Sequence, residues 1–308
     1  MSSEMTVRPA QDQDVQRQQV AHRSTMVSVL TNVVLTVGQV MAGFLSGSQG
    51  LIADGIHSLS DLLADFVVLL ANRHSQKAAD EDHQYGHLRY ETAASLVLGV
   101  LLLVVGVGMV WNGAHKVLDP QLIVQVHGLA LWVALFALVA KEILFRYMLR
   151  AARSVGSSML EANAWHARSD AASSLVVAIG IGGNLLGFHL LDPLAALVVG
   201  VMVGRMGWTF AWNAMHDLMD RAASDEQIRQ LNDCLLSTPG VQGLHDLRTR
   251  MMGDRIVVDV HLEVDGDLTV RQGHAIAVAA RNKVLTALPV LYVTTHLDPA
   301  GEEDEDGD

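Results

Sequence analysis

Six apolar stretches, at roughly 24–46, 50–72, 92–113, 122–147, 158–188 and 191–213, fill most of the first two thirds of this 308-residue chain. Each approaches or exceeds the ~20 residues with which a helix crosses ~30 Å of hydrocarbon. Lipid offers no partner to a backbone amide, so such stretches read as helices that satisfy their own hydrogen bonds. Composition agrees, with 50% apolar and only 18% charged residues, where a soluble chain averages about a quarter charged. The segment 1–23 carries Glu4, Asp12 and Asp14 and no apolar run behind a basic start. It therefore reads as a short extramembrane segment and not as a cleavable signal peptide.

Loop charges set the expected orientation. With an even number of spans, the N-terminus, the 73–91 and 147–157 loops and the C-terminal region share one side, which holds Arg8, Arg17, Arg23, Arg73, Lys77, Arg89, Arg150, Arg153 and Arg221. The opposite turns hold Lys116 alone, so both ends are expected in the cytoplasm. After residue 220 the pattern becomes that of a small α+β domain. Asp225–Ser237 has the period of an amphipathic helix and stops at Pro239-Gly240. Ile256–Val264 alternates strictly, with Val257, Asp259, His261 and Glu263 on the face opposite the apolar stripe. Val270–Leu288 reads as a second helix and Val290–Asp298 as a last strand, in the order helix, strand, strand, helix, strand. The expected domains are 1–23, a six-helix membrane domain 24–213, a cytoplasmic metal-binding domain 214–299 and an acidic solvated tail 300–308.

Several function classes are excluded. A net charge of −12 leaves no clustered basic face for nucleic acid. The single cysteine, Cys234, rules out an internal disulfide and a CxxC zinc ribbon. Neither an HExxH protease motif nor a GxxxxGK[ST] loop occurs, which argues against an enzyme and against an ATP-driven pump.

Ionisable groups inside a bilayer cost at least about 2.5–3.5 kcal/mol each on insertion scales, so by default they mark a polar pathway. The second span carries Asp54, His57, Asp61 and Asp65, and the fifth carries Glu161, His166, Arg168 and Asp170. His57 to Asp61 and His166 to Asp170 are both HxxxD, whose i, i+4 spacing sets both side chains on one helical face. Two such helices face to face supply four N/O ligands, a tetrahedral set that suits Zn²⁺ and suits Mg²⁺ or Ca²⁺ poorly. Four protein ligands leave no open position for a catalytic water, which favours carriage over hydrolysis. The plainer reading is an interhelical hydrogen-bond network that only holds the bundle together. In the 73–91 loop, Asp80, His83 and His87 are spaced to meet on one ion, or else form part of a solvated charge run. His245, His261, His274 and His296 with Asp298 make a further metal-site expectation in the last 80 or so residues.

In this order the motifs resemble the cation diffusion facilitator family, in particular its bacterial zinc and iron efflux members. The likeness runs from about residue 20 to 299 and rests on Ala53-Asp54-Gly55-Ile56-His57-Ser58-Leu59-Ser60-Asp61, the Asp80–His87 loop ending in Tyr85-Gly86-His87, His166-Ala167-Arg168-Ser169-Asp170, the run Gly243–Arg250, His261-Leu262-Glu263 and His296-Leu297-Asp298-Pro299. It implies an α-helical membrane protein, six transmembrane helices followed by a cytoplasmic, metallochaperone-like αββαβ domain, working as a homodimer in the lipid bilayer of a bacterial cytoplasmic membrane. By the same likeness His57, Asp61, His166 and Asp170 form the transport site, Asp80, His83 and His87 a loop site, and His245, His261, His274, His296 and Asp298 a binuclear zinc site. Arg89 and Asp220 fall where the family has a Lys–Asp interlock between its two domains. Several bacterial members carry Asp at the position of His57, whereas two His with two Asp resembles zinc-preferring members. The expected activity is Zn²⁺/H⁺ antiport by alternating access, with Cd²⁺ and Co²⁺ as further substrates and Fe²⁺ or Mn²⁺ less favoured. A membrane-bound metal sensor or scaffold remains the rival class.

Overall fold

The computed structural model describes residues 10–75, 77–123, 125–155 and 158–301. Six long helices come first: α1 (Ala10–Ser46), α2 (Gln49–Ser75), α3 (Arg89–Leu118), α4 (Leu129–Val155), α5 (Ser158–Leu185) and α6 (Leu191–Leu218). Then follow α7 (Asp225–Leu236), β1 (Gly243–Met252), β2 (Arg255–Val264), α8 (Val270–Ala287) and β3 (Val290–Pro299). The residues group into two compact units, one of everything up to Val67 with Leu98–Thr209, the other of Val68–Val97 with everything from Phe210 on.

Two sequence expectations shift. α1 begins at Ala10, so much of the segment expected ahead of the first span is helical; its Gln, Arg and Ala residues are good helix formers. α4 begins at Leu129 and runs to Val155 in place of 122–147. Asp119 caps a single 3-10 turn at Pro120–Leu122, and Ile123 leaves that turn extended, so the apolar residues that start the expected span lie outside the helix. The acidic tail from Glu302 on falls outside the described residues.

Among the described residues three helical segments are long and apolar enough to cross a membrane by length and composition: Arg23–Ser46, Arg89–Leu118 and Leu191–Leu218. They belong to α1, α3 and α6. The other three long helices are diluted by charge, with Asp54 and Asp61 on α2, Lys141 and Glu142 on α4, and Glu161, Arg168 and Asp170 on α5. The polar chemistry is therefore concentrated in α2, α4 and α5. Leu51, Val177, Ile181, Val199 and Val203 are fully buried among these helices, while Phe44, Leu45, Val104 and Trp111 face outward. Lipid is as apolar as leucine, so helix association in this unit rests on close packing and not on the hydrophobic effect. Gly200 shows the requirement: a Cβ there would come within 3.1 Å of the backbone nitrogen of Val110, so the crossing of α6 over α3 needs a residue without one.

In the second unit water supplies the driving force. Leu231 and Leu235 of α7, Ala280 and Val284 of α8, and Ile256, Val258, Val260 and Leu262 of β2 form one core, each large side chain contributing about 1.5–3 kcal/mol of transfer free energy. Both helices start in capping boxes, Ser224 with Gln227 and Thr269 with Gln272, the S/T-x-x-Q pattern that satisfies two orphan amides reciprocally. The sheet order is β1-β2-β3, with β1 antiparallel and β3 parallel to β2. Parallel neighbours need a crossover connection, and α8 provides it. The apolar residues of β2 face the two helices, which leaves Asp259, His261 and Glu263 only partly covered on the other face.

Candidate metal centres

Helix periodicity builds the first cluster. α2 presents His57 and Asp61 one turn apart, and α5 brings Asp170 to the other side of the imidazole. His57 Nδ1 lies 3.8 Å from Asp61 Oδ2 and His57 Nε2 lies 3.9 Å from Asp170 Oδ1, both beyond hydrogen-bond reach. The imidazole is buried and its Nδ1 makes no hydrogen bond. One ligand atom from each of the three residues lies within 4.8 Å of the others. A buried nitrogen lacking a hydrogen-bond partner, flanked by two carboxylates, is a donor set that a divalent cation completes. His166 does not join it. The side chain is exposed and sits within electrostatic range of His57, yet α5 is set so that Asp170, and not the residue one turn earlier, is level with the imidazole.

Beside this cluster lies a buried ion pair that the motif search passed over. Lys141 of α4 is 2% exposed and Asp54 of α2 is fully buried; Lys141 Nζ stands 3.5 Å from Asp54 Oδ1. The ammonium also donates to Ser174 Oγ at 2.8 Å and Ser58 Oγ at 3.1 Å, and approaches the Asp170 carbonyl at 3.5 Å. Asp54 accepts from Ser174 Oγ at 2.6 Å, from Ser173 Oγ at 3.0 Å and from the side-chain amide of Gln39 on α1. The signal was present, since a lysine in the middle of an apolar stretch is as costly as the aspartates that were noticed.

The second cluster sits in the loop between α2 and α3. His83 Nδ1 is 3.5 Å from Asp80 Oδ1 and His87 Nε2 is 3.3 Å from Asp80 Oδ2. His87 Nδ1 lies 3.1 Å from the Ala78 carbonyl and 3.3 Å from that of Lys77, which fixes the ring and turns Nε2 toward the carboxylate. Lys77 donates to Asp80 at 2.6 Å, and with the His83 amide it holds the Asp80 carboxyl well below the usual carboxylate range. Gly86 supplies φ +85° for the turn, a conformation that costs glycine nothing. Next to it, Tyr85 stacks on Tyr292 of β3 at 6.0 Å between ring centroids.

The third cluster follows from strand register. His245, His261 and His296 are direct neighbours across β1, β2 and β3, and Glu263 pairs with Asp298 one step on. Their period-two spacing puts both rows on one face. Asp298 is the hub: its carboxylate lies 3.0 Å from His261 Nδ1, 3.1 Å from His296 Nε2 and 3.5 Å from His245 Nε2. Glu263 holds His245 Nδ1 at 3.2 Å, a contact that orients the ring and that strand alternation alone does not single out. His245, His261 and Asp298 form the tight ligand group, and His296 adjoins it with its ring 4.7 Å from that of His261. A cavity of ≈ 330 Å³ beside the row is lined by Asp246, Arg248, Asp259, His261 and His296. His274 stands apart on exposed α8, an element that packs on the other face of the sheet, so it adds no ligand atom to this group.

Arg89 at the start of α3 and Asp220 after α6 form an ion pair through Arg89 Nη2 and Asp220 Oδ1. Asp220 has φ 59°. Arg221 N donates to His216 O and Asp220 N to Asp217 O, the two hydrogen bonds of a Schellman ending in which glycine usually takes the left-handed position.

A bundle with acidic and imidazole groups inside its spans, followed by a small sheet with a histidine row, defines a membrane transporter of divalent metal cations with a cytoplasmic metal-binding domain. Residues 25–219 match the cation efflux transmembrane domain and 223–300 the cation efflux protein cytoplasmic domain, so the chain belongs to the cation efflux, or cation diffusion facilitator, family. It is an integral membrane transporter and not an enzyme. The chain is 36% identical over 292 residues to metal tolerance protein 2 of Oryza sativa, covering 86% of this chain and 75% of that one. It is 31% identical to the manganese efflux system protein MneS of Bacillus subtilis, over 89% of this chain and 94% of that one. To the cation-efflux pump FieF of Citrobacter koseri it is 28% identical, over 94% and 95%.

Proposed function

We propose that this protein exports Zn²⁺ from the cytoplasm in exchange for protons, by alternating access at His57, Asp61 and Asp170. The observation that carries the reading is the buried imidazole of His57 between two carboxylates, with the three side chains not hydrogen-bonded to one another. A nitrogen donor favours zinc over manganese, since carboxylate and water sets suit Mn²⁺ better. Cd²⁺, Co²⁺ and Fe²⁺ remain plausible secondary substrates for the same donors. Metal binding needs deprotonated ligands, so protons arriving from the far side displace the ion. In another state of the cycle His166, exposed one turn before Asp170, completes the ligand set.

In this reading residues 24–213 form the transmembrane domain, 214–299 the regulatory domain and 300–308 an acidic tail, with both termini cytoplasmic in a bacterial inner membrane. The loop group of Asp80, His83 and His87 and the sheet group of His245, His261, His296 and Asp298 bind regulatory zinc, and the latter supports a homodimer. His274 takes part only if the partner subunit or a rearrangement brings it in. Arg89 and Asp220 hold the α3 start to the segment after α6.

The test is metal uptake into proteoliposomes under a pH gradient, comparing Zn²⁺, Cd²⁺, Fe²⁺ and Mn²⁺. Zinc flux that follows the gradient supports the proposal. Equal flux without a gradient removes the antiport, and preferred Mn²⁺ flux removes the zinc assignment.

A further inference from the structure

We propose that Lys141 is a positioning residue of the transport site: paired with Asp54, it withholds that carboxylate from the metal and ties α2 to α5 beside the ligands. The inference rests on the reading of His57, Asp61 and Asp170 as the transport site and adds a residue to it.

Asp54, His57 and Asp61 follow one another at i, i+3 and i+7, which places them along one face of α2. By spacing alone Asp54 is as eligible a ligand as Asp61. Its oxygens are already engaged. Ser173 Oγ, Ser174 Oγ and the Gln39 amide donate to it, and Lys141 Nζ stands 3.5 Å from Oδ1. A carboxylate has about four lone-pair sites, so three donors and an adjacent ammonium leave it ill suited to take a metal. Every partner of the ammonium, in turn, flanks a ligand. Ser58 follows His57 directly, Ser174 stands one turn after Asp170, and the Asp170 carbonyl itself faces Nζ. The lysine is thus a tie rod among three helices whose free ends are the neighbours of the metal donors.

The charge count gives the tie rod a second effect. With Asp54 neutralised by Lys141, the ligand group presents two negative charges, those of Asp61 and Asp170, which a divalent cation balances. A balanced, loaded site is the cheapest to move through a medium of low dielectric constant. Without the ammonium the same helix face presents three carboxylates. The site then holds a divalent ion more tightly and releases it more slowly. A purely architectural lysine predicts something else: loss of stability, with no preference between binding and turnover.

The experiment is zinc transport in proteoliposomes by wild type, Lys141→Gln, the double variant Asp54→Asn/Lys141→Gln, and Asp170→Ala. Folding is checked beforehand by thermal unfolding of each variant in detergent. For Lys141→Gln the expected result is KM lowered about tenfold and kcat lowered about thirtyfold, because one uncompensated charge acts on ground state and release together. The double variant, which removes both charges but not the loss of the lysine's bonds to Ser58 and Ser174, is expected to return KM to within about threefold of wild type and to recover only part of kcat. An unchanged KM in Lys141→Gln, or a double variant whose KM is no nearer wild type than the single one, overturns the proposal. If Lys141→Gln does not fold, the double variant decides: a near-normal KM with a lowered kcat supports the proposal, and an inactive but folded double variant overturns it. Asp170→Ala separates the two layers of argument, since wild-type transport by that variant overturns the transport-site reading itself, whatever Lys141 does.

Discussion

In the membrane unit His57 stands 3.8 Å from Asp61 and 3.9 Å from Asp170, with no hydrogen bond among the three. On the cytoplasmic sheet the same residue types meet at 3.0 and 3.1 Å, His261 and His296 against Asp298, with Glu263 behind His245. Helical i, i+4 side chains can meet, as Arg146 and Glu142 of α4 do at 2.8 Å, so the wide spacing at His57 reflects where α2 and α5 set their side chains and not the helical repeat. On the sheet, Asp298 is the diagonal neighbour of His261 on the adjacent strand and stands two residues from His296 on the same face of β3, within reach of both rings. The helical cluster leaves His57 Nδ1 without a hydrogen bond, whereas the sheet cluster is hydrogen-bonded within itself, and under the proposed roles a metal must displace those bonds. A carrier has to refill its site every cycle, and a regulatory site has to be stable both with and without its ion.

The largest expected effect tests the helical half of that contrast. Asp170→Ala leaves His57 with one carboxylate in the group, and gradient-driven zinc uptake is expected to fall by at least about 100-fold. Retention of more than half of the wild-type rate breaks the contrast, since the cluster is then dispensable. On the sheet, Asp298→Ala removes the acceptor shared by three imidazoles. Zinc affinity of the cytoplasmic domain, titrated against a competing indicator in an Asp170→Ala background, is expected to drop about 10- to 100-fold. With Asp170 intact, Asp298→Ala is expected to retain measurable transport. Complete loss of flux in that variant would mean that the sheet site is part of the transport path.

The sheet cluster was more legible in the sequence than the helical one, for a geometric reason. Alternation in β2 is enough to place His261 on the polar face, and His296 with Asp298 on one face of β3; register then aligns them. Helical spacing fixes faces but not the rotation or depth of one helix against another, so HxxxD on α5 named both His166 and Asp170 while only Asp170 stands level with His57. His274 was grouped with the other histidines by composition, and its helix packs on the far side of the sheet. Lys141 belongs to no repeated motif, so nothing in its spacing ties it to Asp54 on another helix. The six long helices and the αββαβ order were readable from hydropathy and period. The late start of α4 was not, because apolar residues after Pro120 read the same whether they begin a helix or lead into it.

A smaller effect concerns the loop site, where His83 is exposed and His87 buried. Lys77 and the His83 amide hold Asp80 below the usual carboxylate range, so its charged form persists as pH falls from about 7 to about 5. Over that window Asp80 loses nothing, because a depressed carboxyl gives up its contribution only as pH drops through its folded value. Loss of zinc from the loop on acidification in that window is then not the work of Asp80. Asp80→Asn is expected to weaken zinc binding at every pH and to leave the midpoint of the acid loss in place. A midpoint displaced by more than about half a pH unit would show that the carboxyl titrates in this range.

The smallest effect separates charge from backbone at Asp220, the residue that ends α6 and pairs with Arg89. At φ 59° any side chain other than glycine is disfavoured, with asparagine and aspartate the best tolerated. The ion pair is exposed at both partners, and such pairs contribute about 0.2–1 kcal/mol. Asp220→Gly removes the pair and adds about 0.4–1 kcal/mol of unfolded-chain entropy, but it relieves about 1–2 kcal/mol of left-handed strain, so the changes nearly cancel and its unfolding temperature is expected to match wild type. Asp220→Ala loses the pair and adds strain, and is expected to be the less stable of the two by about 1 kcal/mol. If both variants transport zinc at the wild-type rate, the aspartate serves only to end the helix. If Asp220→Gly is as stable as wild type and still slow, the charge has a role in the cycle that stability does not report, and Arg89→Ala should show the same slowing. A sequence optimised only for the helix end would carry glycine there, and the aspartate is retained at a backbone cost.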